Sequence, residues 1–380
     1  MSRGARLAGS TMGSARAQLL VQRMVLLVGL AAFGCTKGAG QPAAKDARVP
    51  LSDGWLAMGT FFEADLRVRE SELPIAKTWL DWARVELVRL EAVYSRHDAA
   101  SQLSSLNRAL ARTEAMGEGT AVAPALESVL AESVGLWEAT GGAFDVTVGP
   151  LVEVWRRAAE RDSWPTLEAL RKAKGRVGSD RLRLAGGGRL DVTASRVRID
   201  LDAISKGAAL DVLAAAFERA LPEAAALLSL GQSSTRAIGD PDGGGWVVAV
   251  RSSHPDGGEL ATLRLRDRAV SVSSSLGSTS EIAGQTVSHI IDPRTGSTVD
   301  GTVEAVVIGD SALRADGWST GLLVLGAQRS SIRLVEKAGF EAYVFDSSGR
   351  TVSSAGWETF LAASEPGAGE GDATREARAR

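Results

Sequence analysis

"TVEAVVIGDSALRADGWSTGLLVLG", residues 302–326, carries the two patterns from which the fold of this chain is read. Its first eight residues are rich in β-branched side chains and close on Gly309, which reads as a strand. From Ser311 to Gly326 apolar residues recur at three- and four-residue spacing, which reads as a helix. Similar strands are expected at FFEADLRV (61–68), RVRIDLDAI (196–204), GWVVAVR (245–251) and ATLRLRDRAVSV (261–272). Helices are expected around 73–93, 123–139 and 205–220. Turn clusters such as GDPDGGGW (239–246) and HPDGGE (254–259) punctuate the strands. The strands come in hairpin-like runs rather than strict strand–helix alternation. That predicts an α+β fold of mixed, mostly antiparallel sheets with packed helices.

The rest of the chain sets bounds. With 380 residues it is long enough for a substantial core, and its 44% hydrophobic and 23% charged content is that of a globular protein. A formal net charge of −3, without a Lys/Arg stripe, argues against nucleic acid as a partner. The single cysteine, Cys35, excludes an intrachain disulfide and a cysteine-rich metal site. Ahead of it stand Arg3, Arg6, Arg16 and Arg23, no acid before Asp46, and the short apolar run MVLLVGLAAFGC (24–35). This is the layout of a secretory signal over 1–34, with Cys35 placed where a lipoprotein is acylated; a plain cleaved signal is the alternative. An extracytoplasmic protein attached to a membrane by its lipid is expected. Residues 35–50 read as a linker, 51–363 as the folded body and 364–380 as a disordered tail.

Four stretches carry possible chemistry. In TGGAFDVTVGPL (140–151) paired glycines stop a helix, and their crowding with Phe144 and Asp145 would also let backbone approach a flat ligand. In IDLDAISKGAALD (199–211) Lys206 opens an apolar helix, where free N–H groups and partial positive charge suit a phosphate. SHIIDPRTG (288–296) holds His289, one of three histidines with His97 and His254. Asp316 and Thr320, four apart, share one helix face, and both are hard oxygen donors of the kind Mg²⁺ favours. Spacing alone favours an Asp helix cap followed by a threonine bonded to its own backbone, a common pairing at helix starts.

Taken in order with MGTFFEADL (58–66), YSRHDAASQLSSLN (94–107), LLSLGQSSTRAIG (227–239) and ADGWSTGLLVLG (315–326), these stretches resemble the ApbE family of FAD:protein FMN transferases. The resemblance implies an extracytoplasmic enzyme that uses FAD and Mg²⁺. It would move FMN onto a threonine or serine of an acceptor, typically a flavoprotein subunit of a respiratory redox complex, and release AMP. By position, Asp316 and Thr320 match the metal-binding side chains and Ala203 the metal-binding carbonyl. Met58, Ala143, Phe144, Asp145, Asp200 and Lys206 match flavin-nucleotide contacts, and His97 stands where an aromatic residue usually covers the flavin. His289, Ile290 and Ile291 fall in the segment that lines the reacting centre, and His289 or Asp316 would take the acceptor's proton. Four positions depart from the family pattern: His97, Asp202, Gln232 and the serines 273–275. Two alternatives remain open at this level, a Mg²⁺-dependent FAD pyrophosphatase and a non-catalytic, lipid-anchored flavin-binding protein.

Overall fold

The computed structural model describes residues 47–112, 119–184, 186–252 and 258–362. The expected signal with Cys35, the linker up to Asp46, and the tail from Ser364 lie outside the described residues.

In chain order, β1 (Arg48–Ala57) and β2 (Thr60–Arg69) form a hairpin, and β3 (Thr120–Ala121), β4 (Leu182–Leu184) and β5 (Arg189–Val192) form a small sheet of their own. β6 (Ala225–Leu230) pairs with β7 (Ser234–Ile238), and β8 (Trp246–Arg251) with β9 (Glu259–Leu265). β10 (Arg268–Ser274) is followed by a hairpin of β11 (Thr279–Ile282) and β12 (Gln285–Ser288). β13 (Thr302–Gly309), β14 (Glu341–Asp346) and β15 (Thr351–Ser353) come last. The main sheet runs β1-β2-β6-β7-β10-β13-β14-β15, and every pairing in it is antiparallel.

The helices are α1 (Leu73–Tyr94), α2 (Gln102–Arg112), α3 (Pro124–Ala139), α4 (Gly149–Glu160), α5 (Leu167–Lys174), α6 (Ser205–Ala220), α7 (Ala312–Leu325) and α8 (Arg329–Lys337). Leu228, Leu230, Ala305, Val307 and Val344 on one sheet face pack against α1, α6 and α7, while Ala237, Val270, Val306 and Ile308 on the other pack against the β8–β9 hairpin. β13 is therefore buried along its whole length, which is why it reads as a continuous apolar run instead of an alternating one.

Three expectations are corrected. RVRIDLDAI is not a strand. Its alternation is real, since Val197, Ile199 and Leu201 are buried, but the backbone finds partners outside any sheet. Asn107 exchanges two hydrogen bonds with Ile199, at 2.7 and 2.9 Å, and the Asp200 N–H donates to the Val146 carbonyl at 2.7 Å. ATLRLRDRAVSV is two strands, broken at Asp267 (φ 50°), so β9 serves the hairpin and β10 the main sheet. β1 begins at Arg48, inside the expected linker, because Arg48, Val49 and Pro50 pair with Arg69, Val68 and Arg67. The helices α2, α4, α5 and α8 were not among the expected elements; they are short and bury few side chains each.

α6 and α7 meet end to side, and this contact positions the site. Asp211 of α6 caps α7 from outside: its carboxylate accepts from Ser311 Oγ at 2.7 Å and from the N–H groups of Ala312 and Leu313 at 2.8 and 3.0 Å. A loop-borne cap is usual, so a cap supplied by a neighbouring helix ties the two together. On its other side α7 rests on the end of α3 through Gly317 and Gly321. A Cβ at Gly317 would lie 2.4 Å from Leu136 Cδ1, and one at Gly321 2.9 Å from Thr140 Cγ2.

Candidate active site

A cavity of about 750 Å³ opens between the α6 N-terminus, α7, the sheet and the β8–β9 hairpin, a volume suited to a cofactor-sized ligand. Its walls include Asp316, Thr320, Ala203, Asp200, Lys206 and His289. Ala143, Phe144, Asp145, Ile290 and Ile291 line it as well.

Asp316 is not a helix cap. Ser311 holds that place, and Asp316 sits one turn inside α7, 3% exposed. Ser234 and Ser271 are directly opposed across β7 and β10, and both hydroxyls donate to Asp316 Oδ1, at 3.1 and 2.8 Å. Oδ2 accepts from the Gly207 N–H at 3.1 Å. Gly207 lies in the first turn of α6, where backbone N–H groups have no acceptor within the helix, and Asp316 supplies one. Two residues on along β10, Ser273 bonds Ser319 Oγ at 2.8 Å and Thr320 Oγ1 at 3.0 Å. Among the described residues no Lys, Arg or His nitrogen lies within 4.0 Å of Asp316. A buried carboxylate without such a cation, lining one cavity with the Thr320 hydroxyl and the Ala203 backbone, is an oxygen donor set that suits a hard divalent cation.

A charged cluster occupies the turn before α6. Arg96, in the loop between α1 and α2, places Nε 2.5 Å from Asp202 Oδ2 and 3.2 Å from Asp200 Oδ2. Burial, joined by the Asp202 charge, pushes the Asp200 carboxyl up to about 6 against the pull of Arg96. The acid at 202, a departure in sequence, thus has a partner. His289 stands at the pocket mouth with Nδ1 2.6 Å from the Ser278 carbonyl. A carbonyl only accepts, so Nδ1 carries the proton and Nε2 presents its lone pair. Loss of water around the ring, with the Lys206 charge, holds its pKa below the ordinary 6.5, while the Ser278 carbonyl and Asp202 act the other way.

The wall at 140–148 is built by Asp145. Gly141 and Gly142 (φ 59° and 80°) end α3, and the Asp145 carboxylate then takes hydrogen bonds from Thr147 N, Thr147 Oγ1, Ser179 Oγ and Ser179 N, at 2.8, 2.6, 2.7 and 3.1 Å. Asp145 therefore lines the cavity while its oxygens staple two loops together, and burial raises its pKa against those bonds.

The model of the ApbE family matches residues 58–344. The chain belongs to the ApbE family. Among its curated relatives, the FAD:protein FMN transferase of Salmonella typhimurium is 31% identical over 250 residues, 63% of this chain and 71% of that one. The FAD:protein FMN transferase of Klebsiella pneumoniae (strain 342) is 29% identical over 343 residues, 86% of this chain and 93% of its own. The solved flavin transferase ApbE from Vibrio cholerae superposes with a TM-score of 0.67 at 25% identity, covering 83% of this chain and 100% of that one. The ApbE protein from Thermotoga maritima superposes with a TM-score of 0.72 at 24% identity, covering 83% and 99%, and shows the same fold.

Of the positions matched to the family's site, Met58 and His97 alone lie outside the cavity lining. Met58 occupies the β1–β2 turn at φ 49°, with its N–H on Glu91 Oε2 at 3.0 Å. A non-glycine residue at positive φ is costly, so the turn holds Met58 in a conformation it would not choose. His97 is exposed, with Nε2 3.8 Å from Asp202 Oδ2, while its neighbour Arg96 faces the cavity. Gln232 causes no backbone strain, because only Gly231 of that turn takes a positive φ, 66°. Sequence reading missed Arg96, Ser234 and Ser271. Serines at 271 and 273, alternating with Val270 and Val272 on one strand, were the available signal.

Proposed function

We propose that this chain transfers FMN from FAD to a threonine or serine hydroxyl of an acceptor protein and releases AMP. The observation that carries the reading is the convergence, in one cavity, of Asp316 and Thr320, Ala203, Asp200 and Lys206, and His289 from three separate stretches of chain. The names of the Salmonella and Klebsiella relatives support it. Asp316, Thr320 and the Ala203 carbonyl would hold Mg²⁺, which bound there would neutralise charge on the non-bridging phosphate oxygens. In the transfer the acceptor oxygen bonds to the flavin-side phosphorus, the bond from that phosphorus to the bridging oxygen breaks, and the bridging oxygen leaves with its electron pair on AMP. The acceptor proton passes to His289 Nε2. The cavity walls keep the dinucleotide in line with the incoming hydroxyl.

Purified protein, FAD, Mg²⁺ and candidate respiratory flavoprotein subunits, resolved on a denaturing gel, test the reading. Covalent flavin fluorescence on the acceptor is expected. AMP release at the same rate without any acceptor would instead make the chain a FAD pyrophosphatase.

The pH dependence follows from His289. A base whose pKa is held below 6.5 stays deprotonated at lower pH, so the rate should fall only as pH drops through a value below 6.5. That acid limb is expected to disappear in His289→Ala. Asp200 also titrates near 6, so a limb that survives in His289→Ala and vanishes in Asp200→Asn would move the base role away from His289.

For location, the reading is an extracytoplasmic protein held to a membrane by lipid on Cys35, supported by the basic lead and short apolar run before that cysteine. Incorporation of labelled palmitate, lost in Cys35→Ser, is the expected result; equal labelling of both forms would remove the anchor. Among the described residues no helix is long and apolar enough to cross a membrane.

A further inference from the structure

Arg96 is half of an arrangement that the transfer reaction as described does not use. Its Nε is fixed by two carboxylates, Asp202 Oδ2 at 2.5 Å and Asp200 Oδ2 at 3.2 Å. Among the described residues its Nη1 and Nη2 groups have no hydrogen-bond partner, and the side chain lines the cavity. A guanidinium held on its Nε edge keeps its terminal fork of paired N–H donors pointed one way, and that fork matches two oxygens of one phosphate. The same turn brings Lys206, whose Nζ lies 3.4 Å from the Asp202 carbonyl, and Ala203 to the cavity.

We propose that Arg96 is a recognition residue for the diphosphate of the bound dinucleotide, with Asp200 and Asp202 acting as positioning residues that aim its fork. The inference rests on the flavin-dinucleotide reading of the cavity. The two acids neutralise much of the arginine's long-range charge. Selectivity therefore comes from paired hydrogen bonds at short range and favours ligands that present adjacent phosphate oxygens. A lysine at 96 would keep the charge and lose the fork.

Equilibrium binding of FAD, ADP and riboflavin, without Mg²⁺ or acceptor, separates this role from a structural one. Wild type, Arg96→Ala, Arg96→Lys and Asp202→Ala are compared by flavin fluorescence and calorimetry. Arg96→Ala is expected to weaken FAD and ADP by about 10- to 100-fold, the range for hydrogen bonds to a charged group, and to leave riboflavin within about twofold. Arg96→Lys should recover little of the loss, and Asp202→Ala should lose less than Arg96→Ala because Asp200 still holds Nε. An equal loss for riboflavin and FAD would make Arg96 a wall residue and overturn the proposal, as would unchanged FAD binding in Arg96→Ala. Failure of the wild-type protein to bind FAD either without Mg²⁺ or with it would overturn the flavin reading and this inference together.

Discussion

Asp316→Ala is expected to lower FMN transfer by about 10²–10³-fold or more, the scale seen when a preorganised electrostatic group is removed from a transfer site. The variant loses the only charged member of the proposed metal-binding set, so Mg²⁺ affinity measured by calorimetry should fall with it. It also leaves the Gly207 N–H without the acceptor it now has, and Ser234 and Ser271 without theirs. Orphaned buried donors cost about 1–3 kcal/mol, so some loss of stability accompanies the loss of activity. Asp316→Asn separates the two effects. Its amide oxygen still accepts from the serines while its NH2 group faces the Gly207 N–H, so it should lose less stability than Asp316→Ala, yet it lacks the charge and should stay inactive. Near-native transfer by either variant would mean that the cation, if one is used, is held elsewhere.

Gly207→Ala is the second large effect. A Cβ at 207 would sit 2.2 Å from the Ala312 carbonyl oxygen and 2.8 Å from Leu313 Cα, both backbone atoms that no rotamer change can move. α6 and α7 must separate, which costs about 1–3 kcal/mol as for other overpacked contacts. Separation also stretches the Gly207–Asp316 hydrogen bond and shifts Asp316 and Thr320, both on α7, relative to Ala203. A displacement of that size at a reacting centre can cost about 10²-fold in rate. Urea unfolding should show a lower midpoint, and transfer should fall by more than the unfolded fraction accounts for. A variant that is both as stable and as active as wild type would show that the helices do not need this approach.

Much of the fold was readable from period alone. The helices at 73–93, 123–139 and 205–220, and the strand–helix pair at 302–326, stand within a residue or two of their expected ends, because each buries a long apolar face. The segment 196–204 misled for a physical reason: period 2 reports which side chains are buried, not which backbone groups answer them, and here Asn107 and Val146 supply the partners. The same limit explains the site. Asp316 and Thr320 were visible as two oxygens on one helix face. That spacing could not distinguish a surface cap from a buried carboxylate.

The sequence by itself determined the class of fold and the family, since these depend on local period and on short runs of residue types, and it named a minority of the residues that line the cavity. Only the tertiary structure decided what those residues do together. Asp316 is aimed by a glycine 109 positions away and by serines on two strands, and Arg96 by two acids more than a hundred positions on. Orientation of a buried charge is set by donors that converge from distant parts of the chain, and no local pattern records that convergence.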